Sequence, residues 1–405
     1  MFRETLGNGI KVVALEAPGP VSRCGLIVNA GSRDEKDGQQ GLAHFVEHGL
    51  FKGTTHRASH HILCRLDEVG GELNAYTTKD ETAIHAAFLD EYFERATELI
   101  ADMAFCSTFP QKELNKERDV ITDEITSYMD NPAELIFDDF EDMAWAGTPM
   151  GHNILGTPES IRHYGQEEAL QFVHTHWTTD QMVFVYIGPL EPKRIMRVVS
   201  KHLGCREATH RNTQRTPVSQ MREFANVVEK GTSQAHIVLG CEAPSMHSDD
   251  RLNIGVLSNL LGGPCMNSRL SVALREKHGI AYNVETNYGS YEDTGLLSVY
   301  LGTDPQNIDK SIAIVFNEID RLMQNAMSDS QFARAIRQYT GQLLMSADDG
   351  ESLMLAAGRQ VMHFDHVSTL FESVERVHEC VSPQTLLDAA QRYLSPKGMR
   401  RLIYI

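Results

Sequence analysis

The sequence predicts an α+β protein of two homologous domains, each a mainly antiparallel sheet with helices packed over one face. Three observations carry this. Short runs with period-two alternation are interspersed with longer runs whose apolar residues recur every three or four positions. The strand-like runs are short and joined locally, which favours antiparallel pairing under a helical layer. The order of elements in the first half returns in the second, as expected for two copies of a unit of about 200 residues.

Within the first half, strands are expected over 9–15 and 23–30, then a polar loop and a helix beginning near Gly41. An amphipathic helix over 60–69 leads through Gly70-Gly71 into strands at 73–78 and 82–89. Helical patterns follow at 91–105, 110–129, 133–146, 159–164 and 167–175, and a strand at 182–187 closes this half. Between Arg206 and Gln220 the chain turns polar, with Thr, Asn, Gln and Pro217, which marks a linker. The expected division is therefore a domain over 1–205, a linker over 206–221 and a second domain over 222–405. The second half repeats the outline with a strand at 235–241, helices at 249–261 and 269–277, and strands at 282–288 and 295–302. Helices at 308–323 and 328–345 follow.

Composition narrows the function classes. With 405 residues, 41% of them apolar, the chain is globular, and no run approaches the roughly 20 apolar residues of a bilayer span. A formal charge of −18 and the lack of a basic patch argue against nucleic acid. The run Asp138-Asp139-Phe140-Glu141-Asp142 reads as a solvated helix face. Seven cysteines are scattered without a Cys-x-x-Cys pair, which suits buried, reduced thiols. The first nine residues have no apolar leader, so no secretory signal is expected, and the cysteine distribution makes a cytoplasmic location the expectation.

The chemistry concentrates in His44-Phe45-Val46-Glu47-His48. On a helix, His44 and His48 lie one turn apart on one face and can grip one metal ion. Glu47 sits nearly on that face, where it can act as general base toward a water. The order His-x-x-Glu-His is that of the inverzincins. A catalytic zinc needs a third protein ligand. Glu117 and Glu124, about two turns apart on one helical stripe, are both candidates, one as ligand and one as a partner orienting a ligand histidine; spacing does not rank them.

The segment from His44 to His48, continued by Gly49-Leu50-Phe51-Lys52-Gly53-Thr54, resembles the active-site segment of the pitrilysin/insulinase family, which includes the mitochondrial processing peptidases. In that family the third ligand lies about 76 residues past the second histidine, the position of Glu124. The resemblance implies one Zn²⁺ held by His44, His48 and Glu124, with Glu47 as base and Glu117 as the orienting glutamate. Gly70-Gly71-Glu72-Leu73-Asn74-Ala75-Tyr76-Thr77 resembles the family's substrate-receiving edge strand, which assigns Asn74, Ala75 and Tyr76 to substrate binding. Arg275 and Tyr282, in Leu274-Arg275-Glu276-Lys277-His278-Gly279-Ile280-Ala281-Tyr282, resemble the family's Arg/Tyr pair that bonds substrate or the tetrahedral intermediate. Leu260-Leu261-Gly262-Gly263 resembles a glycine-containing loop of the same domain.

The resemblance spans nearly the whole chain, with departures. Gly49 stands where an apolar helix former is usual, and costs about 1 kcal/mol relative to Ala in a helix interior. Pro264 follows Gly262-Gly263 where small residues are usual, and His278 and Ile280 replace Arg and Leu. The second copy has Asn253-Ile254-Gly255-Val256-Leu257 where the first has its histidines, so only one half is expected to bind zinc. The implied function is a zinc-dependent endopeptidase acting on extended peptides. Enzymes of this family that enclose substrate use four such units, which implies a homodimer here. The alternatives are a catalytically weak or silent partner subunit, or a module that binds peptides without efficient turnover.

Overall fold

In the first half, six strands form one sheet: β1 (Phe2–Thr5), β2 (Lys11–Glu16), β3 (Val21–Val28), β4 (Glu72–Thr77), β5 (Thr82–Leu89) and β6 (Met182–Gly188). The structure, a computed structural model, describes every residue except Ser219, so that position of the expected linker lies outside the described residues. The sheet order is β1-β2-β6-β3-β5-β4; β2 and β6 run parallel and every other neighbouring pair antiparallel. The second sheet contains β7 (Ala225–Val228), β8 (Ala235–Glu242), β9 (Ala281–Ser290), β10 (Gly295–Thr303) and β11 (Arg400–Tyr404). Its order is β7-β11-β8-β10-β9, again with one parallel pair, β7 with β11. Without β1, the two sheets have the same pairing pattern, and the repeat expected from the sequence is present in three dimensions.

Alternation explains how each sheet is packed. Leu26 and Val28 of β3 enter one core with the helices Leu42–Leu50 and Phe93–Cys106, while Ile27 enters another with Met354, Leu355 and Val361. In the second sheet Ile237 and Leu239 face the helices Arg251–Gly262 and Ile308–Gln324, and Val238 faces Ile136 and Phe140. The helical layer expected over one face is therefore present in both sheets. A further helix covers each opposite face, which is why β6 is buried along its whole length.

Those extra helices change how the chain is divided. Two compact units form, one from residues 1–126, 153–216 and 346–368, the other from 127–152, 217–345 and 369–405. The helix Pro132–Ala144 thus belongs with the second sheet, and its counterpart Gly350–Phe364 with the first. Each half lends one helix to the other.

Three local features differ from expectation. The acidic run on Pro132–Ala144 is anchored: Tyr128 donates to Asp138 (2.6 Å), Tyr291 to Glu141 (3.2 Å) and Tyr404 to Asp139. All seven cysteines are free, but only Cys24 and Cys241 are buried, and Cys205 and Cys380 are exposed. The polar stretch expected as linker is partly clamped, because Arg211 and Arg215 both bind the buried carboxylate of Asp34.

Candidate active site

The helix Leu42–Leu50 is built for one buried and one chemical side. Leu42, Phe45, Val46 and Leu50 enter the core, while Glu47 and His48 are half-buried. Its start is fixed by Gly41, whose φ of 88° suits glycine, and by Glu35. Glu35 accepts from the backbone N–H groups of Gly41 (3.1 Å) and Ala43 (2.8 Å), satisfying otherwise unpaired donors and placing negative charge at the positive end of the helix.

His44, His48 and Glu124 bring donor atoms within 4.8 Å of one another, all in the first unit. His48 Nε2 lies 3.4 Å from Glu124 Oε2, and His44 Nε2 lies 3.8 Å from Glu124 Oε1. Ligands about 2.0–2.2 Å from a tetrahedral zinc are themselves about 3.4 Å apart, so this donor set fits such an ion. Burial, reinforced by the neighbouring His48, pushes His44 down to about 3, which keeps it neutral and able to ligate. Among the described residues, His44 Nδ1 is buried without a hydrogen-bond partner.

Of the two glutamates that spacing left unranked, Glu124 is half-exposed at the donor cluster and Glu117 is buried behind it. Glu117 accepts from His48 Nδ1 at 2.8 Å and pairs with Lys52 at 2.6 Å. That bond leaves His48 Nε2 pointing at Glu124. Burial opposes the Glu117 charge, but His48 and Lys52 outweigh it and hold the carboxyl below its ordinary value. Glu47 goes the other way. Burial raises it, helped by the charge of Glu124 and opposed by the Thr77 hydroxyl and His48.

The segment holding Asn74, Ala75 and Tyr76 is β4, the outermost strand of its sheet, so one side of its backbone has no sheet partner among the described residues. Asn74 is exposed, while Ala75 and Tyr76 are half-buried. Arg275 and Tyr282 come together in the second unit. They line a groove of about 530 Å³ with Gly262, Gly263 and residues of β9, and Tyr282 is 81% exposed.

A second cluster of metal-capable groups, His56, Asp102 and Cys106, has its carboxylate already engaged. Asp102 accepts from His56 (2.6 Å), Arg57 (2.6 Å) and Thr54 (2.8 Å), which anchors the loop after the histidine helix.

Sequence reasoning missed Glu35, Lys52 as the second partner of Glu117, and Thr77. Thr77 and Lys52 carried a signal only through their places in the quoted edge-strand and active-site motifs. Glu35 stands six residues before Gly41 in a polar loop, with no spacing rule to mark it.

A repeated α+β unit carrying one His-x-x-Glu-His helix, with a carboxylate closing its donor set, defines a two-unit protein with a donor cluster able to hold one divalent metal ion. Comparison with known proteins makes this specific. The profile of the insulinase family (peptidase family M16) matches residues 11–158, and that of the peptidase M16 inactive domain matches 165–339. An uncharacterized zinc protease of Bacillus subtilis is 30% identical over 98% of this chain and 98% of its own length. The mitochondrial-processing peptidase subunit beta of Neurospora crassa is 29% identical, covering 96% of this chain and 84% of that protein. A protease from Helicobacter pylori superposes with a TM-score of 0.91 at 18% identity, over 100% of this chain and 98% of that one, which establishes the shared fold. The chain belongs to the peptidase M16 (insulinase) family.

Proposed function

We propose that this protein is a zinc-dependent endopeptidase that hydrolyses extended peptides. The observation that carries the reading is the convergence of His44, His48 and Glu124 on one point, with Glu47 on the same helix face. A zinc ion held there would polarise the attacking water and the scissile carbonyl. Glu47 takes the proton of that water and later hands it to the leaving amine; its raised affinity for a proton suits both tasks. Glu117 holds His48 in the tautomer and orientation that ligation needs. The free side of β4 receives the peptide backbone as an added strand, giving affinity with modest dependence on side chains. Arg275 and Tyr282 bind substrate carbonyls from the groove of the second unit. The intact donor set favours a working peptidase over a silent partner subunit.

The same reading includes a homodimer, supported by two units per chain, and a cytoplasmic location, supported by seven free cysteines. Among the described residues, no helix is long and apolar enough to cross a membrane. Light scattering at micromolar concentration should give twice the chain mass; a monomer removes the dimer from the proposal.

The central test is a diverse peptide library incubated with zinc-loaded protein and read by mass spectrometry. Cleavage should stop with chelator, return with zinc, and be lost in Glu47→Gln while that variant still binds metal and peptide. Unchanged cleavage by Glu47→Gln would overturn the mechanism.

A further inference from the structure

The edge strand β4 is fixed on one side by β5, but among the described residues no strand pairs with its outer side. Alternation turns Leu73 into the core beneath the histidine helix and Tyr76 to the opposite face, where the borrowed helix Gly350–Phe364 lies. There the Tyr76 hydroxyl donates to Glu81 Oε1 (2.7 Å) and accepts from Arg359 Nη2 (2.8 Å). Arg359 Nε donates to the same Glu81 oxygen (2.5 Å), and the guanidinium stands 5.7 Å from the Tyr76 ring centroid. Three side chains thus close a ring of hydrogen bonds.

The ring spans the turn between β4 and β5. Glu81 is 3% exposed, and its backbone carbonyl also accepts from the Thr78 N–H (2.8 Å). Two positions along the ladder from Tyr76, His85 stands opposite Asn74 and packs against Tyr76 with ring centroids 6.0 Å apart. Glu351, from the same borrowed helix, reaches His85 at 3.7 Å. Two residues of one helix therefore hold the face of β4 and β5 that points away from the histidines.

We propose that Arg359, acting through Glu81 and Tyr76, is a positioning residue that pre-sets β4 to accept the backbone of an extended peptide. This rests on the peptidase reading above and adds to it a device for substrate affinity. A peptide joining an edge strand must find its donors and acceptors in register, and a strand held in place loses less freedom on binding. The bidentate geometry requires arginine, because a lysine ammonium cannot engage Glu81 and Tyr76 through a planar fork.

The test uses the full-length protein with Arg359→Met, Arg359→Lys and Glu81→Gln. The expected result is a KM about fivefold higher or more for Arg359→Met and Glu81→Gln, with kcat within about twofold of the parent. Arg359→Lys should fall between. Amide hydrogen exchange of residues 72–77, measured on the metal-free chain, should quicken in the same order. A merely structural role would lower the active fraction and hence the apparent kcat, leaving KM and strand exchange unchanged; that outcome overturns the proposal. If the parent cleaves no peptide, the peptidase reading fails and the substrate role falls with it. If the parent cleaves normally and Arg359→Met keeps its KM, the positioning role alone fails.

Discussion

Glu117 binds His48 through Nδ1 at 2.8 Å while its other oxygen meets Lys52 at 2.6 Å. One buried carboxylate thus neutralises a lysine and aims an imidazole. Glu117→Gln keeps the shape but replaces one acceptor oxygen by an amide donor facing a donor. Zinc affinity should fall about 10–100-fold, read by competition with a chromogenic chelator. An affinity equal to the parent's would show that the bond does not orient the ligand.

Glu47 and Thr77 make a prediction about pH. Burial raises Glu47 above the ordinary carboxylate value, and the Thr77 hydroxyl resists that rise. A base works only when deprotonated, so kcat/KM should decline as pH falls through the raised value. Thr77→Val removes the resisting hydroxyl at nearly constant volume and should move this acid limb to higher pH. An unmoved limb would assign it to another group.

Gly49, the departure that seemed to weaken the histidine helix, has a packing reason. A Cβ there would stand 2.6 Å from Cδ1 and 2.8 Å from Cε1 of Phe109. Phe109 is itself fully buried with φ of 47°, at the turn before the helix Gln111–Met129 that bears Glu117 and Glu124. Gly49→Ala gains helix propensity but overpacks, and should destabilise by about 1–3 kcal/mol in urea unfolding. The loss should shrink in a Phe109→Leu background; additive effects would separate the two residues.

Acid stability should depend on Asp34. Burial opposes its charge, but the bond and charge of Arg215, with Arg211 and the Gly31 N–H, outweigh it and hold the carboxyl below its ordinary 3.8. A group depressed in the folded state adds stability above its unfolded value and loses that contribution as pH falls through the folded one. Asp34→Asn should cost about 3 kcal/mol at pH 7, and the gap from the parent should narrow below pH 3.8. An equal gap at pH 3 and pH 7 would contradict this assignment.

What could be read from the chain follows the range of each signal. β3, β5, β6, β8 and β10 were legible because strands buried on one or both faces are written in consecutive or alternating apolar residues. β7, with three exposed residues among four, and β11, beginning Arg400-Arg401, carry too little pattern. The histidine pair needed only local spacing. Choosing between Glu117 and Glu124 needed a family resemblance, because both share one helical stripe. Glu35 and Arg359 act across a loop and across the chain, where no period exists to announce them. The exchange of helices was equally hidden, since amphipathicity tells that a helix has a partner and not which sheet it is.

That exchange sets a timetable. Residues 346–368 form part of the unit that holds the histidines, yet they are translated after nearly all of the second sheet. A ribosome has therefore made most of the chain before the first sheet can receive the cover for its second face, and before β4 can be clamped by Arg359. During synthesis β4 stays unclamped by Arg359 while the rest of the chain is still being made. Cutting the gene at the apparent linker would yield two pieces, each lacking a wall that the other encodes.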